Sequence, residues 1–278
     1  MDDGFEEHRE RLRGVAYRML GTLTEADDAV QEAWLRYSRA DTSGVGNLAG
    51  WLNTVVARIC LDLLRSRSSR REEPLTDDAG TSPDPVAEVE LADAVGRALL
   101  VVLDALTPAE RVAFVLHDAL GVPFAEIAPI LGRSAEATKK LGSRARRKVR
   151  GEAPPAGSVG RRRVIERFLA AIRAGDVPAL LAVLAPDVVR RADPALLAPG
   201  SPVELRGARE VAEEAKLLSR ERARYAEPAL LDGVPGIVVA PRGRLEIALV
   251  CTIEDGRIAA YEVVADPARL RELSVTLL

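Results

Sequence analysis

Two stretches with almost nothing to bury divide this chain and prevent it from folding around a single core. The first, Glu72–Pro85, reads EEPLTDDAGTSPDP, and the second, Gly151–Gly160, reads GEAPPAGSVG. Runs of proline, glycine and small polar residues of this length are typical of linkers. The 278 residues therefore predict more than one domain. The expected domains cover 1–71, 87–150 and 161–278, joined by an acidic linker over 72–86 and a second linker over 151–160.

Composition favours a globular protein of the cytoplasm. Hydrophobic residues make up 47% of the chain, which supplies enough apolar material for several cores. No apolar run approaches the roughly 18 residues of a membrane helix. The charged start, MDDGFEEHRERLRG, lacks the apolar centre of a signal peptide, so no membrane contact is expected. Two distant cysteines and two histidines predict neither a disulfide framework nor a metal site, and no cofactor is expected.

Apolar spacing in the first segment predicts a domain of three amphipathic helices. The second helix carries an apolar stripe of Ala26, Ala29, Val30, Ala33, Trp34 and Tyr37. Beside it runs a polar stripe of Asp27, Asp28, Gln31 and Glu32. Spacing alone favours a solvated face, with acids stabilised near the N-terminus of the helix.

The third helix separates two kinds of face. Leu52, Val56, Ile59 and Leu63 share the face that is expected to reach the core. A different face carries Trp51, Val55, Arg58, Asp62 and Arg65. An aromatic ring beside spaced arginines offers melted DNA a stacking surface and neutralises its phosphates. Taken alone, the stretch is explained more simply by Trp51 packing against a neighbouring helix.

The second segment has the pattern of a helix-turn-helix. Thr107–Glu110 reads TPAE, which combines a capping threonine, a proline at the first helical position and a glutamate three residues on. Helices are predicted over Ala109–Leu120, over Phe124–Leu131, and from Ser134 to Val149. Two short helices joined by a glycine-containing turn are typical of this motif. Pro129 and Gly142 are expected to weaken the helices that contain them.

The last of these helices is strongly basic on one side. Eight basic residues and one acid lie between Arg133 and Arg150, and a solvated basic helix is the less favoured interpretation. A helix in the major groove brings its first residues to base edges and its later cations to phosphates. The predicted inner face is Thr138, Leu141, Ala145 and Val149. The base-side candidates are Glu136, Lys139, Lys140 and Ser143. The predicted phosphate contacts are Arg144, Arg146, Arg147, Lys148 and Arg150.

The third segment changes from helical to strand periodicity along its length. Helices are predicted up to Gly175, after Asp176 and over Gly207–Ser219, and a strand begins at Asp187–Arg190. Strands follow over Ile237–Ala240, Leu245–Ile253 and Arg257–Ala265. Asp255-Gly256 is a strong hairpin turn. The fold class expected for the whole chain is multidomain, with two all-α domains followed by an α+β domain.

Four motifs of the first two segments resemble one family. DDAVQEAWLRY, GWLNTVVARICLDLLRSR, LTPAERVAFVLHDALGVPFAEIA and GRSAEATKKLGSRARRKV resemble regions 2 and 4 of an extracytoplasmic-function (ECF) sigma factor of bacterial RNA polymerase, over nearly all of residues 5–150. The resemblance implies a protein that binds the β′ and β subunits of core polymerase, directs them to promoter DNA for transcription initiation, and is not itself an enzyme.

The resemblance also implies three sets of contact residues. Core polymerase would be bound by Asp27, Asp28, Gln31, Glu32 and Trp34. The −10 promoter element would be contacted by Trp51, Val55, Arg58, Asp62 and Arg65. The −35 element would be contacted by Arg133, Ser134, Glu136, Lys139, Lys140, Ser143, Arg144 and Arg147.

The third segment resembles a cone-shaped SnoaL-like domain of the nuclear-transport-factor superfamily. The motifs are GDVPALLAVLAPDVV, ELRGAREVAEEA, GVPGIVVAPRGRLEIALV and DGRIAAYEVVADPARLREL. Such a domain is fused to one group of these sigma factors, which implies regulation through intramolecular contact with the sigma domains and room for a small ligand. In that group a glycine-rich motif follows the first strand, whereas here Asp193 precedes Pro194, Ala195 and Leu196.

Related folds include enzymes, so the fold alone leaves function open. Asp187, Asp193, Tyr225 and Tyr261 could supply acid–base groups, but the segment has no histidine, Asp187 follows a proline at a turn, and Tyr261 suits a sheet core. No catalytic residue is therefore expected. Two alternatives remain: a stand-alone helix-turn-helix DNA-binding regulator with a ligand-sensing C-terminal domain, and an enzyme carrying a degenerate sigma module.

Overall fold

The computed structural model describes residues 3–70, 95–151, 158–197, 200–218, 220–241 and 243–278. The predicted linker over 72–86 lies outside these ranges. The chain forms two compact units, one from residues within 1–95 and 103–148, the other from 96–102 and 149–278. The second unit thus includes seven residues that precede the helix-turn-helix.

Helices account for all the regular structure described up to residue 151. They are α1 (Asp3–Glu6), α2 (Arg9–Leu20), α3 (Leu23–Tyr37), α4 (Leu48–Arg70), α5 (Arg97–Asp104), α6 (Pro108–Phe114), a π-helical turn (Val115–Ala119), α7 (Phe124–Leu131) and α8 (Ala135–Arg150). The predicted end of α2 at Gly21 is confirmed by a left-handed φ of 80°. The capping box of Thr107 and Glu110 is also confirmed, since each side chain accepts from the other residue's backbone N–H.

Helix α4 is buried more widely than the predicted core face. It packs against α2 and α3, and also against α6 and α7. Val55, Cys60, Leu61 and Leu64 are therefore buried together with the predicted Leu52, Val56 and Ile59. A core face predicted from the helical period alone assumes that other elements pack against one side of the helix. Helix α4 has neighbours on two sides.

Helices and a seven-stranded sheet build the second unit, as the α+β class predicts. Its helices are α9 (Ser158–Ala174), α10 (Val177–Val183), α11 (Ala208–Leu218), α12 (Arg220–Ala223) and α13 (Pro267–Glu272), with a 3₁₀ turn at Pro194–Leu196. Its strands are β1 (Leu184–Ala192), β2 (Glu204–Arg206), β3 (Ala226–Leu231), β4 (Val234–Val239), β5 (Ile247–Glu254), β6 (Arg257–Val264) and β7 (Val275–Leu277). Helix α9 already begins inside the stretch predicted as the second linker.

The strand order is β2-β1-β6-β5-β4-β3-β7. Strand β1 runs parallel to β6, and the other neighbours are antiparallel. The predicted turn is confirmed, since Asp255 and Gly256 both have positive φ, 48° and 74°. Strand β3 was not predicted, because it contains Pro228. The structure pairs Pro228 with β4, and β7 pairs only from Ala229 onward, so the missing N–H falls where the strand is an edge.

Aliphatic side chains and two aromatic rings fill the core of the second unit. Phe168 and Ile165 of α9, Leu180 of α10 and Val211 of α11 are buried, as is Tyr261 of β6, which confirms its predicted place in the sheet core. Within the described ranges, no helix combines the length and the apolar character needed to cross a membrane.

Candidate nucleic-acid interface

Helix α8 has one buried and one exposed face, as predicted. Thr138, Ala145 and Val149 are at most 1% exposed and form the buried face of the helix. The Ser134 hydroxyl accepts from the N–H of Ala137 at 3.2 Å and so caps the helix. Among the candidate DNA contacts, these side chains are exposed: Arg133, Ser134, Glu136, Lys139, Lys140, Ser143, Arg144 and Arg147.

Two of the predicted phosphate contacts form ion pairs with carboxylates of other elements. The Lys148 ammonium lies 2.7 Å from a carboxylate oxygen of Glu110. The Arg146 guanidinium lies 3.1 Å from Asp118 and over the ring of Phe124. The prediction is corrected for these two cations, because carboxylates on neighbouring elements already neutralise them.

Gly142 and Pro129 are accommodated in ways that sequence could not show. A Cβ built on Gly142 would meet the ring of Phe124 at 2.8 Å, so glycine here allows α7 to approach α8 closely. Phe124 in turn stacks on His117 with ring centroids 3.9 Å apart. Helix α7 continues past Pro129 to Leu131, with Ile127, Ile130 and Leu131 buried. Packing of that apolar face outweighs the one backbone hydrogen bond that proline removes.

The polar stripe of α3 borders a surface groove of ≈ 630 Å³. Asp27, Gln31 and Trp34 line this groove, and Asp28 and Glu32 do not. Trp34 was placed in the apolar stripe of α3, yet it is 39% exposed, so that part of the prediction is wrong. The indole lines this groove together with Arg9 and Arg13 of α2 and is open to solvent.

Ion pairs order several of the acids on this surface. Asp27 accepts from Arg13 of α2 at 2.6 Å, and Glu32 accepts from Arg36 at 3.1 Å. Pairs as exposed as these add little to stability. Their effect is to fix where the negative charges of α3 lie.

The candidate −10 residues divide into three groups. Arg58, Asp62 and Arg65 are exposed along one side of α4. Trp51 is half-buried, with its ring 6.3 Å from that of Tyr37, as expected for a packing role. Val55 is only 9% exposed and belongs to the core, because α4 has neighbours on two sides. Val55 is therefore removed from the candidate DNA contacts.

Buried arginines form a group of residues that sequence reasoning missed. Arg111 is 3% exposed and donates to the carbonyl of Met19 in α2 at 2.9 Å, and to the carbonyl of Leu103 at 2.6 Å. It thereby ties α6 to α2 within the first unit. In the second unit, Arg190 of β1 is 1% exposed and pairs with Glu214 of α11. Arginine side chains are usually exposed in proteins. Neither the composition nor the spacing of apolar residues therefore indicated that Arg111 and Arg190 would be buried.

The second unit also binds the start of α5. Both carboxylate oxygens of Glu227 accept backbone N–H groups there, from Arg97 and Ala98, at 2.9 Å each. The Arg97 guanidinium lies 5.2 Å from the ring centroid of Tyr225. Leu100 fits against Gly243, where a Cβ would come within 2.5 Å of it. These contacts place the first turn of α5 in the C-terminal part of the fold.

Both cysteines of the chain are buried. Burial raises the pKa of Cys60 and of Cys251 to about 12, which makes both thiols unreactive at neutral pH. No group of three or more potential ligands is placed to hold a metal ion in the part of the chain that the structure describes.

Comparison with known proteins identifies the family. The family model for Sigma-70 region 2 matches residues 5–70, and that for Sigma-70, region 4 matches residues 96–149. "ECF RNA polymerase sigma factor SigJ" of Mycobacterium tuberculosis is 37% identical over 296 residues, covering 95% of this chain and 91% of the relative. The chain belongs to the ECF sigma factors of bacterial RNA polymerase.

Two further likenesses cover nearly the whole of this chain. "Probable ECF RNA polymerase sigma factor SigI" of M. tuberculosis is 36% identical over 280 residues, covering 97% of this chain and 94% of the relative. The crystal structure of the M. tuberculosis SigJ sigma factor is 30% identical, covers 98% of each chain and has a TM-score of 0.46. The predicted function in transcription initiation is confirmed, as is the fold class of two all-α sigma domains followed by an α+β domain. The stand-alone DNA-binding regulator is not favoured, since region 2 is present as well as region 4.

Proposed function

We propose that the sigma factor reads the −35 promoter element with the exposed face of α8. The observation that carries this proposal is the two-sided character of the helix, with Thr138 and Ala145 fully buried and Lys139 exposed. A helix held in this way can enter a major groove with its first turns at base edges and its later cations at phosphates. The proposed contacts are Arg133, Ser134, Glu136, Lys139, Lys140, Ser143, Arg144 and Arg147.

Alanine at both Lys139 and Lys140 tests this proposal in the holoenzyme with core polymerase. Promoter affinity should fall, and the slope of log affinity against log salt should flatten by about one for each phosphate that the variant no longer neutralises. A matched control replaces Arg162 and Arg191, which are 51% and 64% exposed in the second unit, and removes the same charge. If both double variants show the wild-type slope, the promoter-reading surface lies elsewhere.

For the −10 element we propose contacts through Arg58, Asp62 and Arg65. These side chains are exposed on α4, and Trp51, which is half-buried, shares their side of the helix by its spacing. Two cations beside an aromatic edge suit a melted strand, whose phosphates need neutralising and whose bases can stack.

For core polymerase we propose binding through α3 to the β′ and β subunits, with Asp27, Asp28, Gln31 and Glu32 around Trp34. A large apolar side chain that is 39% exposed beside ordered carboxylates is typical of a protein-binding site. The family membership supports this proposal, since a sigma factor acts through the polymerase. The same membership supports a location in the cytoplasm, where that polymerase works.

Trp34→Ala should weaken binding to core polymerase about tenfold or more, because aromatic anchors carry much of an interface's energy. The melting temperature should stay close to that of the wild type, since the indole is exposed. Leu181→Ala is the matched control, because Leu181 is 38% exposed and lies in α10 of the other unit. Titration of core polymerase with labelled sigma factor measures both, and wild-type affinity of Trp34→Ala would contradict the proposal.

We further propose that the C-terminal domain modulates the sigma domains and catalyses no reaction. Glu227 and Tyr225 support modulation, because they hold the first turn of α5, within the residues that match region 4. The candidate acids are poorly placed for catalysis. Asp187 is exposed, and Asp193 accepts from two backbone N–H groups and pairs with Arg269.

A further inference from the structure

Helix α8 carries one acid among its cations. Glu136 is the only Asp or Glu between Arg133 and Arg150, where eight residues are basic. It lies in the first turn of the helix, and its side chain is 78% exposed. A carboxylate on a face that approaches DNA is repelled by the phosphates unless it gains a bond that offsets the repulsion. Phosphate binding alone would favour a cation or a neutral residue at this position.

Glu136 lies at the centre of the exposed face of α8. Successive residues are about 100° apart around an α-helix. On that spacing Glu136 is about 180° from Ala145 and about 160° from Thr138, both of which are fully buried. Its side chain therefore points directly away from the buried side of the helix. When this face enters a groove, the carboxylate is among the first groups to meet the base edges.

The start of α8 does not depend on Glu136 for its cap. The Ser134 hydroxyl already accepts from the N–H of Ala137 at 3.2 Å. Oε1 of Glu136 instead lies 2.8 Å from the ammonium of Lys140, one turn further along the helix. Lys140 is 68% exposed, so this pair adds little to stability, but it holds the carboxylate on the exposed face. A carboxylate has two oxygens and about four lone pairs, so capacity remains for a donor from a base.

The major groove offers a carboxylate one well-matched base. Guanine presents two acceptors and thymine presents one, and all of these repel a carboxylate. Adenine has a donor amine at N6, but the acceptor N7 lies beside it. Cytosine presents its N4 amine with no acceptor beside it. The chemistry of Glu136 therefore fits cytosine and is mismatched to the other three bases.

We propose that Glu136 selects a cytosine in the −35 element by accepting a hydrogen bond from its N4 amine. The inference rests on the proposed reading of that element by α8 and adds which base one side chain recognises. Lys140, held beside Glu136, offsets the charge of the carboxylate against the nearby phosphates. Glu136 thus determines specificity, while the cations of the same face supply the affinity.

Selection from a duplex library tests the proposal. Holoenzyme formed from the full-length protein and core polymerase is mixed with promoter DNA that is randomised over the −35 element, and the bound sequences are counted. At one position the wild type should prefer cytosine about tenfold over the other bases, as one good base contact allows. Glu136→Gln should move the preference at that position to adenine, because a glutamine amide bonds both N6 and N7 of that base. Preferences at the other positions should stay as they are.

Glu126→Gln is the matched control. Glu126 is an exposed acid in the first turn of α7, so its replacement removes the same charge from the same region. This variant should keep the cytosine preference, and any gain in affinity should be equal for all sequences. Both variants should melt at the temperature of the wild type, since both side chains are exposed.

The proposal is overturned if the wild type shows no cytosine preference within the element, or if Glu136→Gln keeps that preference. It is equally overturned if Glu136→Gln raises the affinity for all sequences alike, since Glu136 would then be only a solvated acid near the N-terminus of the helix. The reading of the −35 element by α8 is tested separately, by the salt slope of the Lys139 and Lys140 double variant. A flattened slope in that variant, with no effect of Glu136→Gln on base preference, would reject the cytosine contact alone.

Discussion

At the scale of single residues, Glu110 joins the cap of α6 to helix α8. Its carboxylate accepts from the N–H and hydroxyl of Thr107 at 3.1 and 3.0 Å, and from Lys148 at 2.7 Å. Burial by itself would raise the pKa of Glu110, but the bonds from Lys148 and Thr107 outweigh it and lower that pKa below its ordinary value. The carboxylate therefore stabilises the folded state in its ionised form.

This shift predicts how stability depends on pH. A depressed folded-state pKa contributes stability above the unfolded value of about 4.3, and the contribution is lost as pH falls through the folded pKa. Glu110→Gln should therefore lower the free energy of unfolding by about 1–2 kcal/mol at neutral pH and by less in acid. Tryptophan fluorescence in urea measures it, since both tryptophans, Trp34 and Trp51, lie in the first unit.

Glu6→Gln is the matched control for this prediction. Glu6 also has a lowered pKa, caused by its hydrogen bond from Arg9, but the side chains of Arg9 and Glu6 are 40% and 46% exposed. Its replacement should leave stability nearly unchanged at every pH. Equal pH profiles for the Glu110 and Glu6 variants would show that the Lys148 contact has no energetic role.

At the scale of secondary-structure elements, the contact between α7 and α8 depends on Gly142. Alanine has a higher helix propensity than glycine, which by itself would stabilise α8 by up to about 1 kcal/mol. Its Cβ would nevertheless meet Phe124 at 2.8 Å, and Phe124 is held by His117. We expect a net loss of about 1–3 kcal/mol, as for other overpacked cores, together with weaker −35 binding.

Gly14→Ala in α2 is the matched control for Gly142→Ala. A Cβ on Gly14 would meet only the flexible end of Arg18, at 3.3 Å. This variant should keep or slightly raise the midpoint of urea unfolding. A Gly142→Ala protein that is as stable as Gly14→Ala would show that α7 and α8 can separate without cost.

At the scale of the whole molecule, Glu227 connects the C-terminal domain with the start of α5. Glu227→Gln should weaken the cap on the N–H groups of Arg97 and Ala98 by about 1 kcal/mol. Hydrogen exchange in α5 should then rise about fivefold. If the cap modulates region 4, run-off transcription by the full-length protein should also change.

Glu254→Gln controls for the removal of one carboxylate, because Glu254 is an exposed residue of β5 in the same unit. It should leave both exchange and transcription as they are in the wild type. Altered exchange in α5 with unchanged transcription in the Glu227 variant would show that the cap is structural only.

Much of the local structure followed from the sequence because local interactions determine it. The capping box at Thr107, the end of α2 at Gly21 and the turn at Asp255-Gly256 depend on residues within a few positions of one another. The helical spacing of apolar residues also predicted the buried and the exposed face of α8, since that helix packs on one side only. The motifs of regions 2 and 4 were therefore sufficient to predict the family and the promoter-directing function.

Only the tertiary structure decided what depends on neighbours distant in sequence. Val55 is buried in the core because other helices pack against α4 on two sides. Lys148 forms an ion pair within the protein because Glu110 lies beside it. Strand β3 tolerates Pro228 because β7 begins to pair one residue later. A cavity in the second unit, lined by Arg190, Glu214 and Tyr261, exists because β1, β6 and α11 bring distant residues together. Burial and pairing are properties of the three-dimensional neighbourhood, which a pattern along one element does not contain.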